Sequence, residues 1–181
     1  MFIIAYQCCL GCIILTITMN LKKIFCWPPL LAGVGASVTI IILGYITYYS
    51  ILSDTNYGLW LFASFGSTVV IVFGYPNNDF AQPKNVFFGH LLTSFVGICF
   101  VAFFEVNFIT LGIAVGIGVM LMIALKITHP PAGGNPIVVM LGGVSFQFLI
   151  FPVIVGAITI IIGGIIYNSL ILKRKYPVSW K

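Results

Sequence analysis

Thr128-His129-Pro130-Pro131-Ala132-Gly133-Gly134-Asn135-Pro136 sits inside the longest uncharged stretch of this chain. No Asp, Glu, Lys or Arg occurs from Ile127 through Leu172. A bilayer holds a segment broken by proline and glycine only where protein or a polar cavity surrounds it, because hydrocarbon cannot satisfy a freed backbone. Broken helices of this kind mark solute sites in many transporters. The stretch therefore points both to a polytopic membrane protein and to a place where its chemistry sits.

Composition agrees. The chain has 181 residues, of which 61% are hydrophobic and 6% charged, with a mean hydropathy of +1.18. Soluble domains carry about 25% charged residues, so a soluble fold is excluded. The net charge of +5 comes from bases that lie singly or in short clusters beside apolar spans. That is how cytoplasmic loops look, and it suggests no nucleic-acid partner.

Charges and breakers divide the chain into seven apolar segments at about 2–20, 30–51, 57–75, 86–104, 107–127, 131–144 and 147–172. The expected fold is an all-α polytopic bundle of about seven membrane segments. The sixth crosses fully only if His129 to Pro131 continue it in extended form. Three regions follow: an N-terminal membrane helix and basic loop (1–26), a membrane domain (27–172) and a basic tail (173–181). Residues 1–10 lack the basic opening of a signal peptide, so the first helix is expected to be retained, with cleavage as the alternative. With Lys22 and Lys23 inside, the threading places Asp54 and Glu105 outside and Lys84, Lys126 and Lys173-Arg174-Lys175 inside or at its edge. The positive-inside rule thus favours an outside N-terminus and seven passes.

Two of the segments echo one another. Gly66-Ser-Thr-Val-Val-Ile-Val-Phe-Gly74 aligns with Gly134-Asn-Pro-Ile-Val-Val-Met-Leu-Gly142. Units 30–104 and 107–172 would each be helix, broken helix, helix, and three passes per unit would invert the second. That is a 3+3 inverted repeat with two broken helices. Chance similarity between β-branched apolar runs is the competing explanation.

Such a repeat brings two broken elements in from opposite sides, with helical parts beginning near Gly66-Ser67-Thr68 and Gly133-Gly134-Asn135-Pro136. Two helix N-termini, each carrying free N–H groups and about half a positive charge, would hold a small inorganic anion near mid-membrane. Gly133 and Gly134 let backbone approach a solute, Pro136 suits a first helical turn, and Asn135 or Ser67 could cap or bind. Close helix packing is the competing role, and it is favoured for Gly66 and Gly74. Lys126 and His129 would share a helical face, where the cation keeps His129 neutral or the protonated ring binds an anion. Lys126 equally suits snorkelling to the interface, and His129 equally suits bonding the freed backbone. The candidate binding residues are thus Ser67, Thr68, Lys126, His129, Gly133, Gly134 and Asn135. His90 reads as an anchor near the start of its helix.

Enzyme chemistry has little support. Asp54, Asp79 and Glu105 fall in predicted turns, and there is no phosphate loop or nucleophile elbow. Two histidines without an intramembrane carboxylate make no metal-hydrolase site. Cys8, Cys9, Cys12, Cys26 and Cys99 lie in or beside apolar spans, and Cys9-Leu-Gly-Cys12 lacks the βαβ context of a redox motif. No cofactor or metal is expected. The expected partners are the bilayer, a small inorganic anion and a second copy of the chain.

Leu125-Lys126-Ile127-Thr128-His129-Pro130-Pro131-Ala132-Gly133 resembles the signature of the HPP family of integral membrane proteins. Ala81-Gln82-Pro83-Lys84-Asn85 with Gly89-His90, and Ala63-Ser64-Phe65-Gly66-Ser67, add to that resemblance, which covers about residues 27–170. Family members often have Arg at the position of Lys126, and small residues where Asn135-Pro136 stand here. The resemblance implies four membrane helices by the usual description of the family. It also implies an anion transporter of a bacterial inner membrane, because plant relatives are associated with nitrite movement across the chloroplast envelope. Two other functions stay open: a non-transporting scaffold or partner subunit whose glycines serve packing, and a neutral-solute channel lined by Asn135-Pro136.

Overall fold

The structure, a computed structural model, describes residues 27–49 and 61–179. The expected first helix at 2–20, Lys22, Lys23 and Asp54 lie outside the described residues. The chain divides into two compact units, Met1–Val34 and Gly35–Lys181. In the first, the described residues open helix α1 (Trp27–Tyr49), with Pro28 and Pro29 in the turn where a missing N–H is harmless.

The second unit is all-helical among the described residues. After the rest of α1 come α2 (Phe62–Gly74), α3 (Pro83–Phe103), α4 (Phe108–Ala124), α5 (Asn135–Gly142) and α6 (Val155–Ile165). Short 3₁₀ turns at Asp79–Ala81 and Pro130–Gly134 precede α3 and α5. Wider π-type turns at Leu149–Ile154 and Ile166–Ile171 extend α6 at both ends. The first of these accommodates Pro152 and the extended backbone of Phe151.

Among the described residues, three helical stretches are long and apolar enough to cross a membrane: Pro28–Tyr48, Pro83–Phe103 and Leu149–Ile171. At 1.5 Å per residue, the 21 residues of α3 span roughly 31 Å, about one hydrocarbon thickness. The 13 residues of α2 and 17 of α4 span roughly 20 and 25 Å. The 8 residues of α5 span only about 12 Å. A polytopic helical membrane bundle is thus established. The sixth apolar segment is a half-length helix reached through an extended and 3₁₀ lead-in, not a membrane helix in its own right.

Helix α3 is the axis, packed on by α4, α5 and α6. Glycines set the close crossings. An added Cβ on Gly97 would lie 2.9 Å from the Pro136 backbone Cα and 2.9 Å from Val139 Cβ, so α5 crosses α3 at that notch. Gly89 gives the same relief to His129, whose Cβ would be 2.8 Å away. Phe65 and Val72 of α2 fill the positions of Gly156 and Gly164 on α6, and Thr39 of α1 fills that of Gly163. Gly66 and Gly74 have nothing within 4 Å of such a Cβ, so the packing role expected for them is not what they do.

The two ends of α3 differ in charge. Its first turn carries Lys84, and Asn85 Nδ2 donates to the carbonyl of Thr128 at 3.0 Å, bringing the end of α4 and Lys126 alongside. The C-terminal tail docks there too. The Tyr176 hydroxyl donates to the Ala81 carbonyl at 2.8 Å, and burial pushes its phenol pKa up. Gln82 Oε1 accepts from Val178 N at 2.8 Å and Ser179 N at 3.2 Å, and its amide donates to the carbonyls of Pro76 and Asn78. Lys173, Arg174 and Lys175 lead into this tail. Glu105 stands at the opposite end of α3. There Asn107 caps α4 by accepting from Ile109 N and Thr110 N, while Thr110 Oγ1 accepts from Asn107 N.

Candidate functional site

Against α3, roughly 10 Å in from its basic end, five elements converge on a polar knot. His90 comes from α3, Thr68 from the middle of α2, and Asn135 from the first residue of α5. His129 sits in the extended lead-in before the Pro130–Gly134 turn, and the Phe80 carbonyl belongs to the Asp79–Ala81 turn. Thr68, His90, His129 and Asn135 are all fully buried, at 0% exposure. In an apolar surrounding such groups persist only if they bond one another.

They do so as a chain. Thr68 Oγ1 lies 2.9 Å from His90 Nε2 and 2.9 Å from His129 Nε2. It also lies 2.9 Å from the Ser64 carbonyl one turn back. His129 Nδ1 is 2.7 Å from the Phe80 carbonyl. Asn135 Nδ2 is 2.9 Å from His90 Nδ1, 3.2 Å from the His90 carbonyl and 3.0 Å from Ser94 Oγ. The two imidazole rings are 5.0 Å apart, and Phe65 lies 5.0 Å from His90 on its other flank. Asn135 Oδ1 is buried without a partner.

The sequence-derived candidates separate here. Thr68, His129 and Asn135 meet in the knot. Gly133 and Gly134 lie beside it, half-buried. An added Cβ on Gly133 would meet nothing within 4 Å, and on Gly134 only Ser64 Oγ at 3.7 Å. Ser67 points away, exposed, donating to the Ala63 carbonyl at 3.2 Å. Lys126 is exposed in the left-handed region at φ 54°, where α4 unwinds. Residues 125–129 are not helical, so the shared helical face expected for Lys126 and His129 does not form.

One further expectation is corrected. The helical part of α2 does not begin at Gly66-Ser67-Thr68. It begins at Phe62, and the Phe65 N–H already bonds to the Leu61 carbonyl at 3.0 Å. Thr68 reaches the knot from a helix interior, so only α5 offers its N-terminus to the site. There Pro136 does occupy the first turn.

His90 is the residue that sequence reasoning missed. It is the centre of the knot and not an interfacial anchor. The available signal was Gly89-His90 on one helix with His129 elsewhere in the chain: two intramembrane histidines with a glycine beside one of them. Ser64 and Ser94 were missed as well. Among the described residues no three His, Cys, Asp or Glu side chains come together as a metal site would need.

Residues 8–177 match the family model of the HPP transmembrane region. This chain belongs to the HPP family. It is also similar to two transmembrane proteins of Dictyostelium discoideum. One is 31% identical over 128 residues, 66% of this chain and 45% of the relative. The other is 32% identical over 130 residues, 67% of this chain and 42% of the relative. The match thus spans less than half the length of these curated relatives. No solved structure matches this chain. This HPP-family chain is therefore a membrane protein, and its family motif, His129-Pro130-Pro131, puts one of its residues into the buried knot.

Proposed function

We propose that this HPP-family chain moves a small solute across its membrane, and that the solute is an inorganic anion such as nitrite. The observation that carries the reading is the buried polar knot at the start of α5, with the uncrowded Gly133-Gly134 backbone beside it. Buried polar and ionisable groups inside a membrane bundle are costly and are kept for function. A helix N-terminus with uncrowded glycines before it suits an anion, and among the described residues no carboxylate joins the knot to repel one. An open cleft of about 490 Å³ lined by Gly74, Tyr75, Pro76, Asn77, Asn78 and Arg174 lies at the basic end and presents a cation there. By the positive-inside rule that end faces the cytoplasm, in a bacterial inner membrane as in any other with a cytoplasmic face.

The inverted-repeat plan belongs to this reading. Measured along α3, α2 runs toward the Pro83 end, and α5 runs from Ser94 toward Phe100. The two elements therefore approach the knot in opposite directions, and each ends on the glycine of its echo motif. Both are features that an inverted repeat requires. The scaffold reading has less support, because the tightly filled glycines Gly97, Gly156, Gly163 and Gly164 are filled by this chain itself.

The test is uptake by purified protein in liposomes, with nitrite, nitrate, chloride and formate each measured against protein-free vesicles. Saturable uptake of one or more anions is expected. Folded, inserted protein that passes no anion would overturn the reading, and passage of urea or glycerol instead would favour a neutral-solute channel.

A further inference from the structure

The hydrogen bonds of the knot can be counted proton by proton. Of its seven contacts, five link the two imidazoles to their neighbours: Phe80 O to His129 Nδ1, His129 Nε2 to Thr68, Thr68 to Ser64 O, Thr68 to His90 Nε2, and His90 Nδ1 to Asn135 Nδ2. The other two, from Asn135 Nδ2 to the His90 carbonyl and to Ser94 Oγ, share the second proton of that amide. Each of the five needs one proton. A backbone carbonyl only accepts, so His129 must carry its proton on Nδ1 to meet Phe80. The Asn135 atom facing His90 must be the amide nitrogen, because the His90 carbonyl lies 3.2 Å from the same atom and two oxygens would repel. The amide therefore donates, His90 Nδ1 accepts, and neutral His90 carries its proton on Nε2, pointed at Thr68.

That leaves the single proton of the Thr68 hydroxyl for two contacts. It can go to Ser64 O or to His129 Nε2. Whichever it takes, the other contact is bare. With both imidazoles neutral, the five contacts hold four protons. A fifth completes the set at one place. With His129 protonated on both nitrogens, Nε2–H donates to Thr68, the Thr68 hydroxyl donates to Ser64 O, and each of the five contacts has its proton.

From this inventory we infer that His129 is a proton-binding site, oriented by Thr68, His90 and Asn135, and that its proton travels with the anion. The second half rests on the anion-transport reading; the first does not. In the step, a hydronium ion from solution gives up a proton: one of its O–H bonds breaks, leaving water, and an N–H bond forms at His129 Nε2, while the Thr68 hydroxyl rotates its hydrogen bond from that nitrogen to the Ser64 carbonyl. No other covalent bond is made or broken, and the site gains the positive charge that the hydronium ion loses. His90 stays neutral, because a second charge 5.0 Å from the first would be repelled.

Among the described residues that charge has no resident partner. Within their helical ranges α2, α4, α5 and α6 contain no Asp, Glu, Lys, Arg or His. On the Asp79–Ala81 turn Asp79 is exposed, and Tyr75 just before it is exposed too. On α3, Lys84 is half-buried in the first turn and Cys99 lies near the far end. Lys126 is exposed, and Tyr176 is taken by the Ala81 carbonyl. A buried charge with no partner costs free energy. An anion at the α5 N-terminus supplies the partner, so proton and anion each raise the affinity for the other. One proton with one monovalent anion makes the transported unit neutral.

Two measurements on the full-length protein in lipid test this, and they fail independently. In ¹⁵N-histidine NMR, the neutral state should show His129 protonated on Nδ1 and His90 on Nε2. On acidification His129 should become doubly protonated before His90 changes. Added nitrite should move that midpoint upward, by about one pH unit for a tenfold coupling. Finding the Nε2–H tautomer at His129, or His90 titrating first, would overturn the proton site. In proteoliposomes clamped at zero membrane potential, an inward proton gradient should drive nitrite accumulation with alkalinisation outside. His129→Gln should abolish that gradient dependence. Nitrite uptake indifferent to the proton gradient would overturn the coupling even if His129 titrates as expected. A protein that shows the expected titration but moves no anion would retain the proton site and remove the anion reading.

Discussion

Helices α2 and α5 serve the same knot by different means. In α2 the chain passes through Gly66, Ser67 and Thr68 as unbroken helix, and Thr68 projects from its interior with its hydroxyl bonded back to Ser64. In α5 the helix starts at the site. Pro130–Gly134 forms a 3₁₀ turn, Asn135 is the first helical residue, and its amide ties to His90 and Ser94. Both segments are glycine-bearing and apolar, so glycine is not what distinguishes them. Proline is. Pro130, Pro131 and Pro136 remove backbone donors, and Pro130 holds His129 before it extended, whereas an isolated glycine costs a helix only about 1 kcal/mol relative to alanine. One region supplies a side chain; the other supplies backbone N–H groups and an open approach.

The largest expected contrast is at Gly134. A methyl there meets only Ser64 Oγ at 3.7 Å, an ordinary contact. A leucine would extend into the space before the α5 N-terminus. Gly134→Leu should abolish anion uptake while leaving the protein folded and inserted, with its melting temperature within a few degrees of the parent. Uptake and melting temperature are to be read on the same purified variant. Normal uptake would remove the α5 approach from the path. Joint loss of both would make Gly134 a packing residue.

Next come the adjacent hydroxyls of α2. Thr68→Val takes the shared partner from two buried imidazoles. Leaving a buried polar group unsatisfied costs about 1–3 kcal/mol, so denaturation should show a loss of that order. Ser67→Ala removes only an exposed bond to Ala63 and should fall within about 0.5 kcal/mol of the parent. Equal effects at the two positions would contradict the orientation of α2.

How much of this was legible beforehand divides along the same line. The break before α5 is written in the sequence, because three prolines and two glycines within a few residues dictate local backbone whatever surrounds them. His129 and Asn135 could be nominated from that alone. Thr68 does not stand at a helix start; it belongs to the knot because α2 turns that face toward α3, a tertiary fact. His90 had only a weak mark, the glycine beside it, since a histidine in an apolar helix reads the same at an interface or at a core. Its depth follows from Gly89 admitting His129 and from Asn135 arriving from 45 residues away. Lys126 shows the converse. Its spacing to His129 was read on a helix that has already unwound through a left-handed residue.

The seam between α3 and α5 gives a third expectation. At Gly97 an added Cβ would lie 2.9 Å from the Pro136 backbone Cα, which has no flexible end to yield. Gly97→Ala should therefore destabilise by about 1–3 kcal/mol, the usual range for overpacking. Uptake should fall too, because α5 carries Asn135. An Ala variant as stable as the parent would mean that α5 rides loosely on α3.

Gly66→Ala is the smallest effect and the sharpest comparison, because its sign is opposite. Gly66 lies inside α2, half-buried, and nothing comes within 4 Å of a Cβ built on it. Its φ is not in the positive region that only glycine adopts easily, since the positive-φ glycine among the described residues is Gly143. With room for the methyl and helical backbone already in place, alanine should gain the helix-propensity difference, about 0.5–1 kcal/mol, and raise the melting temperature by a few degrees. Anion uptake should be unchanged, since the backbone of α2 is not offered to the solute. A loss of stability would mean that α2 bends at Gly66. A loss of uptake without loss of stability would mean that a solute passes against its backbone. Either result would restore α2 as a broken twin of α5, with two helix N-termini at the site instead of one.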